Sequence, residues 1–321
     1  MPVRFLSDAQ REQLLGFPAE LDEEALDRFF TLSGAEVTEA RQRRGEGNRL
    51  GWSLLLCGLR MLGFCPDDVT TAPAVAVRFV VRQLGVDPEV LTGYGKRAQT
   101  RTDHVNQVKA FLGFRSPTAA DLGEVGDWLA AEALVVDRPV VLFRLVCARL
   151  RELRLVRPGL TVIEQSLVGA AREAARRETA ARVAGLCTPR RCRVLDGLLE
   201  VDPDLGVARA SWLRRFAVQA APSAIGEEID KLVFLRELGA GDWDLTVLPA
   251  QRVTTLARWA QAASNQALAQ SSPQRRYPAL LAFAAQRLVA VTDELVDLFD
   301  KLLGEARDSG GLACSTVASS G

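Results

Sequence analysis

Signals for the starts of helices recur along this chain, and they constrain its fold more than any other feature. Three residue pairs have the capping-box spacing, in which each side chain bonds the other residue's free backbone amide: Ser7 with Gln10, Ser33 with Glu36, and Thr100 with Asp103. Apolar residues recur at helical spacing between such signals, and no alternating strand pattern is present. The sequence therefore predicts an all-α fold of tandem helical domains.

The distribution of charge matters more than its sum. A formal net charge of zero argues against binding to phosphate groups. The charges are segregated, however: residues 1–39 hold nine acids and three arginines, whereas residues 141–193 hold twelve arginines and four glutamates. Arginine suits bidentate contacts to phosphate and guanine. A GC-rich genome would enrich arginine equally well, so both interpretations stay open.

Several classes of protein are not indicated by the sequence. The chain lacks a stretch of 18 uncharged apolar residues and an apolar signal region at its start, so we expect a cytoplasmic protein. With six cysteines among apolar residues and a single histidine, no zinc site is predicted. His104 is expected to be a core or surface residue, not a general base. The acids Asp293, Glu294, Asp297 and Asp300 are expected to form an exposed acidic face. We therefore predict no catalytic residue, metal or cofactor.

Residues 33–63 have the organisation of a helix-turn-helix unit. A short capped helix ends in Arg41, Arg43 and Arg44, and a glycine-containing turn follows. Asn48 and Arg49 then open a strongly apolar second helix, where arginines meet phosphate and polar side chains reach base edges. The alternative is a plain helical hairpin whose arginines are only solvated.

Two further basic segments follow. Lys96, Arg97 and Arg101 lie at or before a predicted helix N-terminus, where an anion is favoured. On the predicted helix 139–156, one face is apolar and the other carries three arginines: Arg144, Arg151 and Arg154. This stripe is either a contact to a duplex backbone or a solvated face. Arg149 lies inside the apolar arc, and the sequence leaves it either ion-paired or directed at a partner.

Three ordered groups of residues together resemble the signatures of one family, the Tn3 family of replicative (class II) transposases. The first group is Arg41-Gln42-Arg43-Arg44-Gly45, Asn48-Arg49-Leu50-Gly51, Leu56-Cys57 and Leu59-Arg60. The second is Tyr94-Gly95, Gln99-Thr100-Arg101, His104 and Phe111-Leu112-Gly113-Phe114. The third is Pro273-Gln274-Arg275-Arg276-Tyr277, Val291-Thr292-Asp293-Glu294 and Asp297-Leu298. The groups extend over nearly the whole chain.

The resemblance implies a function in DNA recognition. In that family the N-terminal region binds terminal inverted repeats through helical domains, and the Asp-Asp-Glu triad that holds magnesium lies in the C-terminal half. The chain would end before that half, which implies a truncated, catalytically inactive fragment. Two departures from the family are Phe299, where histidine is expected, and the tail 308–321.

These observations predict sequence-specific binding of transposon terminal inverted repeats. The predicted partners are double-stranded DNA and either a second copy of the chain or a full-length transposase, in the bacterial cytoplasm at the nucleoid. Residues 1–69 and 70–157 are expected to be two DNA-binding domains, residues 158–307 a third helical domain that serves in DNA binding, as a linker or in dimerisation, and residues 308–321 a disordered tail. The alternative is an all-helical scaffold for protein–protein interaction, against which the lack of a fixed repeat counts.

Overall fold

The computed structural model describes residues 5–95, 97–216 and 222–317, with the backbone alone at 222 and 303–317. Regular structure in these ranges is helical, apart from two isolated β-bridges, which confirms the predicted all-α class. The chain forms two compact units. One comprises Met1–Ala133 and Arg138–Arg172, and the other comprises Leu134–Asp137 and Glu173–Gly321. The finer division into four segments stays a prediction.

The first unit contains eight described α-helices, two 3-10 turns and a π-helix. The α-helices are α1 (Asp8–Gln13), α2 (Glu23–Phe30), α3 (Gly34–Arg41), α4 (Glu46–Leu62), α5 (Ala74–Leu84), α6 (Ala98–Leu112), α7 (Ala119–Ala133) and α8 (Pro139–Glu152). The 3-10 turns are Val69–Thr71 and Pro88–Gly93, and the π-helix is Val162–Gly169. Side chains from α2, α4, α5 and α6 share one hydrophobic core, with Phe30, Trp52 and Val80 fully buried.

The second unit contains the remaining described α-helices, with α9 beginning at the end of the first unit's range, and two 3-10 turns, Ala184–Leu186 and Ala240–Asp242. These helices are α9 (Ala170–Arg182), α10 (Pro189–Gly197), α11 (Arg209–Leu213), α12 (Pro222–Glu237), α13 (Ala250–Ala262), α14 (Asn265–Gln270) and α15 (Pro273–Val317). Helix α15 packs along α12 and α13 around a core that includes Leu235, Ala260 and Phe283. Within the described ranges, no helix is long and apolar enough to cross a membrane.

Two of the three predicted capping boxes are confirmed, and the third is wrong. Ser7 with Gln10 and Ser33 with Glu36 form reciprocal bonds at the starts of α1 and α3. Thr100 does not cap α6, because that helix begins at Ala98 with Arg97 in the N-cap position. Thr100 is already inside the first turn, where its backbone amide bonds the Arg97 carbonyl.

The backbone of α15 is helical further than the sequence suggests. It continues through residues 308–317, for which the sequence predicts disorder, and residues 318–321 lie outside the described ranges. Extending an existing helix costs much less than nucleating a new one, so weakly periodic residues can follow a long helix that is already packed.

Candidate nucleic-acid interface

The turn between α3 and α4 presents an uncapped helix N-terminus. Gly45, the N-cap residue of α4, has a φ of 87°, and no side chain bonds the first amides of this helix. Such amides, together with the helix dipole, favour an anion. The side chains of Arg41 and Arg44 are exposed beside this N-terminus, and no ion pair joins either of them to another described residue.

Arg43, Asn48 and Arg49 hold this turn in place. Arg43 forms an ion pair with Glu39, and its guanidinium carbon lies 5.4 Å from the centre of the Trp52 ring. The Asn48 Nδ2 donates to the Arg44 carbonyl at 2.8 Å, and the Arg49 Nε donates to the Arg43 carbonyl at 3.1 Å. These three residues therefore fix the backbone that carries the exposed Arg44.

The burial of α4 limits how it can approach DNA. Residues 50–59 of this helix are all buried, so no lengthwise face of α4 is available to lie in a major groove. A helix-turn-helix protein commonly places its second helix in that groove. Here only the two ends of α4 are accessible: the first turn, Glu46 to Arg49, and the last residues, 60–62. An approach to DNA by α4 must therefore be end-on.

The second predicted group is only partly exposed. Arg97 is exposed at the start of α6, and Lys96 lies outside the described residues. The Arg101 Nη2 donates to the Pro66 carbonyl at 2.8 Å and lies 3.2 Å from a carboxylate oxygen of Asp67. Arg101 thus ties α6 to the segment that follows α4.

The predicted arginine stripe on α8 is divided by the structure. Arg144 and Arg154 are exposed, and Arg151 is half-buried. The Arg151 Nη1 donates to the Met61 carbonyl at 2.5 Å, and the Arg154 Nη1 donates to the Leu112 carbonyl at 3.2 Å. Both acceptors are carbonyls in the last turns of α4 and α6, which lack intrahelical partners. Arg151 and Arg154 therefore stabilise helix ends within the first unit.

Arg149, whose environment the sequence leaves open, is ion-paired. Its Nη1 lies 3.2 Å from the Glu152 carboxylate, and its guanidinium carbon lies 5.7 Å from the centre of a ring of Trp128. The side chain is 40% exposed, so this pair contributes little to stability.

The first two sequence signatures meet in one packed cluster that the sequence reasoning missed. A Cβ atom added to Gly51 of α4 would overlap the ring of Tyr94. The Tyr94 hydroxyl lies 3.0 Å from the Nδ1 of His104, and the two rings are stacked with centroids 5.7 Å apart. Burial raises the pKa of Tyr94. The sequence contained one sign of this contact, because Gly51 belongs to the first signature and Tyr94 to the second.

His104 is a core residue, and we expect it to make stability depend on pH. Burial holds the pKa of His104 below its ordinary value of 6.5, and nearby Arg43 lowers this pKa further while Asp103 opposes the change. The folded state favours the neutral imidazole ring. The contribution of His104 to the free energy of unfolding is therefore largest above pH 6.5, and it is lost as pH falls from 6.5 towards the lowered pKa.

The measurement is thermal or urea unfolding between about pH 7 and pH 5, the range in which histidine ordinarily titrates. The His104→Gln variant keeps an acceptor for Tyr94 but cannot titrate there, so it should lose less stability than the wild type on acidification. An equal loss in both proteins would contradict the assignment.

Acidic and sulfur-containing side chains of the described ranges do not assemble into a metal site: no three His, Cys, Asp or Glu residues lie together in a suitable arrangement there. In the predicted acidic group on α15, Glu294 accepts from Arg287 at 3.0 Å, while Asp293, Asp297 and Asp300 are exposed.

Comparison with known proteins places this chain in a family. It belongs to the family described as a domain of unknown function (DUF4158), whose sequence model matches residues 5–191. The chain is 33% identical over 315 residues to the transposase for transposon Tn3926 from Escherichia coli, covering 95% of this chain and 31% of that protein. It is 32% identical over 308 residues to the transposase for transposon Tn21 from Escherichia coli, again covering 95% and 31%.

A third relative, the transposase for transposon Tn501 from Pseudomonas aeruginosa, is 30% identical over 304 residues, covering 94% of this chain and 30% of that protein. The chain thus spans about a third of the length of the curated relatives it matches. These matches confirm the resemblance to Tn3-family transposases.

Proposed function

We propose that this chain binds duplex DNA at the terminal inverted repeats of a transposon, with the turn between α3 and α4 as its principal contact. The observation that carries this proposal is the uncapped N-terminus of α4 beside the exposed Arg41 and Arg44. The similarity to proteins named as transposases supports transposon DNA as the ligand.

We propose different roles for the predicted contact residues, according to their exposure and their contacts. In this proposal a phosphate lies at the α4 N-terminus, where Arg41 and Arg44 neutralise it and the free amides donate to it. Arg97 and Arg144, which are also exposed, provide further phosphate contacts. Lys96 stays a predicted contact beside Arg97.

The remaining arginines act mainly by positioning. Arg43 and Arg49 fix the turn, and Arg101, Arg151 and Arg154 join helix ends through backbone carbonyls. Asn48, in the first turn of α4, is the side chain we propose to reach a base edge, with its Oδ1 free of the bond that Nδ2 makes to Arg44. Because these arginine side chains are already held against the protein, they lose little conformational entropy when the chain binds DNA.

The test is a titration of fluorescent duplex DNA with the chain at two salt concentrations. Arginine–phosphate contacts release counterions, so the affinity should fall by several orders of magnitude between about 50 and 200 mM salt if six or more phosphates are contacted. A folded chain that does not bind duplex DNA at the lower concentration would exclude this function and favour the protein-interaction scaffold.

We also propose that these 321 residues do not cleave or join DNA strands by themselves. Phosphoryl transfer of this kind needs metal-bound carboxylates that converge from separate elements. The acids of α15 instead lie along one helix, where Glu294 is paired with Arg287.

Incubation of supercoiled plasmid with the purified chain and Mg²⁺ or Mn²⁺ should therefore leave the plasmid intact. Nicking that persists through purification and disappears in an Asp293→Asn, Asp297→Asn double variant would contradict this expectation. Nicking that persists in that variant would point to a contaminating nuclease.

A further inference from the structure

A small basic pocket lies in the second unit, among α9, α13 and α15. Its charged and polar lining includes Arg176 of α9, Arg252 of α13, Gln274 and Arg275 of α15, Trp259 and Asp137. The cavity measures about 20 Å³, which admits one oxygen-sized group and excludes a small-molecule ligand. All eleven contact residues predicted from the sequence lie between residues 41 and 154, so none belongs to this pocket.

The three guanidinium groups come from three different helices. They do not form a stripe along one solvated face. Arg252 is 4% exposed at the floor of the pocket, and its Nε donates to the Thr179 hydroxyl at 3.1 Å. Its Nη1 lies 3.8 Å from the Asp137 carboxylate. Three guanidinium groups and one carboxylate therefore line the same pocket.

The two arginines at the rim are accessible to a ligand. The guanidinium carbon of Arg275 lies over a ring of Trp259, 3.9 Å from its centre. Arg176 is 32% exposed and lies 3.3 Å from a Glu173 oxygen, an exposed pair that contributes little to stability. The rim therefore carries one guanidinium group over an indole and one in an exposed ion pair.

The neighbouring Arg276, the second arginine of the third sequence signature, has a different role. Its Nη1 donates to the Ala269 carbonyl at 2.7 Å, and its Nε lies 3.2 Å from the Asp196 carboxylate. Arg276 therefore joins the start of α15 to α10 and α14. Arg275 instead lies in the pocket lining.

We propose that this pocket receives a phosphate oxygen of duplex DNA, so that the second unit makes a contact of its own with the nucleic acid. The inference rests on the proposed DNA-binding function and extends it from the turn between α3 and α4 to the second unit. A phosphate oxygen matches the size of the cavity, and planar guanidinium groups bind phosphate in a bidentate manner. The N-terminal turn of α15, which carries Gln274, adds a favourable dipole.

The experiment compares an Arg176→Gln, Arg275→Gln double variant of the full chain with Arg258→Gln. Arg258 is exposed on α13 but does not line this pocket, so Arg258→Gln controls for the loss of a surface charge outside the pocket and is matched in charge to Arg176→Gln alone. The double variant should bind duplex DNA at least tenfold more weakly at about 0.1 M salt, and its slope of log affinity against log salt should be smaller by about one. The control should change neither quantity.

The outcomes separate this inference from the proposed function. If the wild type does not bind duplex DNA, the proposed function fails. If the wild type binds and the double variant binds with the same affinity and slope, the pocket contact is overturned while the proposed function stands. If the double variant does not fold, Arg176→Gln alone replaces it in the test, because Arg176 is half-exposed at the rim. We expect this single variant to reduce the slope of log affinity against log salt by a smaller amount.

A parallel arm uses inorganic phosphate to distinguish the two sources of this anion. Phosphate could stabilise the wild type but not the double variant, while the two proteins bind DNA with the same affinity. That result would identify a site for free anions and overturn the DNA contact. Ethylation of DNA phosphates should interfere with wild-type binding at one position that no longer matters for the double variant. Identical interference patterns for both proteins would also contradict the proposal.

Discussion

We expect a chain carrying Arg41→Gln and Arg44→Gln to bind duplex DNA roughly 60-fold more weakly than the wild type at about 0.1 M salt. The reason is that each lost phosphate contact lowers the affinity by a factor of about eight at that ionic strength. Both side chains are exposed beside the uncapped α4 N-terminus, so their removal should leave the fold intact. Fluorescence anisotropy measures the affinity, and the salt slope should decrease by about two.

The matched control is Arg78→Gln with Arg82→Gln. These two arginines are exposed on α5 of the same unit, and their replacement changes the net charge by the same amount. Their loss should have a much smaller effect. Equal losses in both double variants would show that binding follows overall charge and not the α3–α4 turn, and an unchanged affinity for the first variant would exclude that turn as the contact.

A second large effect is expected in the packing of the first unit. Gly51→Ala should reduce the free energy of unfolding by about 1–3 kcal/mol or more, because an added methyl group in a well-packed core forces its neighbours to move. The added Cβ would overlap the Tyr94 ring, which itself stacks on His104. For a domain of this size the melting temperature should fall by about 2–4 °C per kcal/mol.

Gly123→Ala is the matched control, since Gly123 also lies inside a helix of the first unit and has no atom within 4 Å of an added Cβ. That substitution should stabilise the chain by roughly 0.5–1 kcal/mol, because alanine favours the helix more than glycine does. If both variants melt together with the wild type, the close contact between α4 and Tyr94 is not present in solution.

Local features of the fold were predictable from the sequence, and the features that depend on distant contacts were not. The capping boxes at Ser7 and Ser33 are complete within four residues, so the sequence identified them. The box at Thr100 failed because the helix starts at Ala98, which its spacing did not reveal.

The candidate site shows the same limit. The exposed Arg44 and the short turn before α4 followed directly from local sequence. The Arg151 contact joins residues 90 positions apart and the Arg154 contact joins residues 42 positions apart, so the sequence pattern did not reveal that either arginine bonds a helix end. Burial of α4 on all sides likewise depends on helices that pack against it from other parts of the chain, and periodicity alone does not show this.

The most direct test of inverted-repeat binding compares two duplexes of equal length and composition, one carrying a transposon terminal inverted repeat and one a scrambled sequence. Affinities are measured at the same salt concentration. Specific DNA binding typically exceeds non-specific binding by a factor of about 10³ or more, and we predict such a preference for the inverted repeat. Equal affinity for the two duplexes would contradict the proposed function.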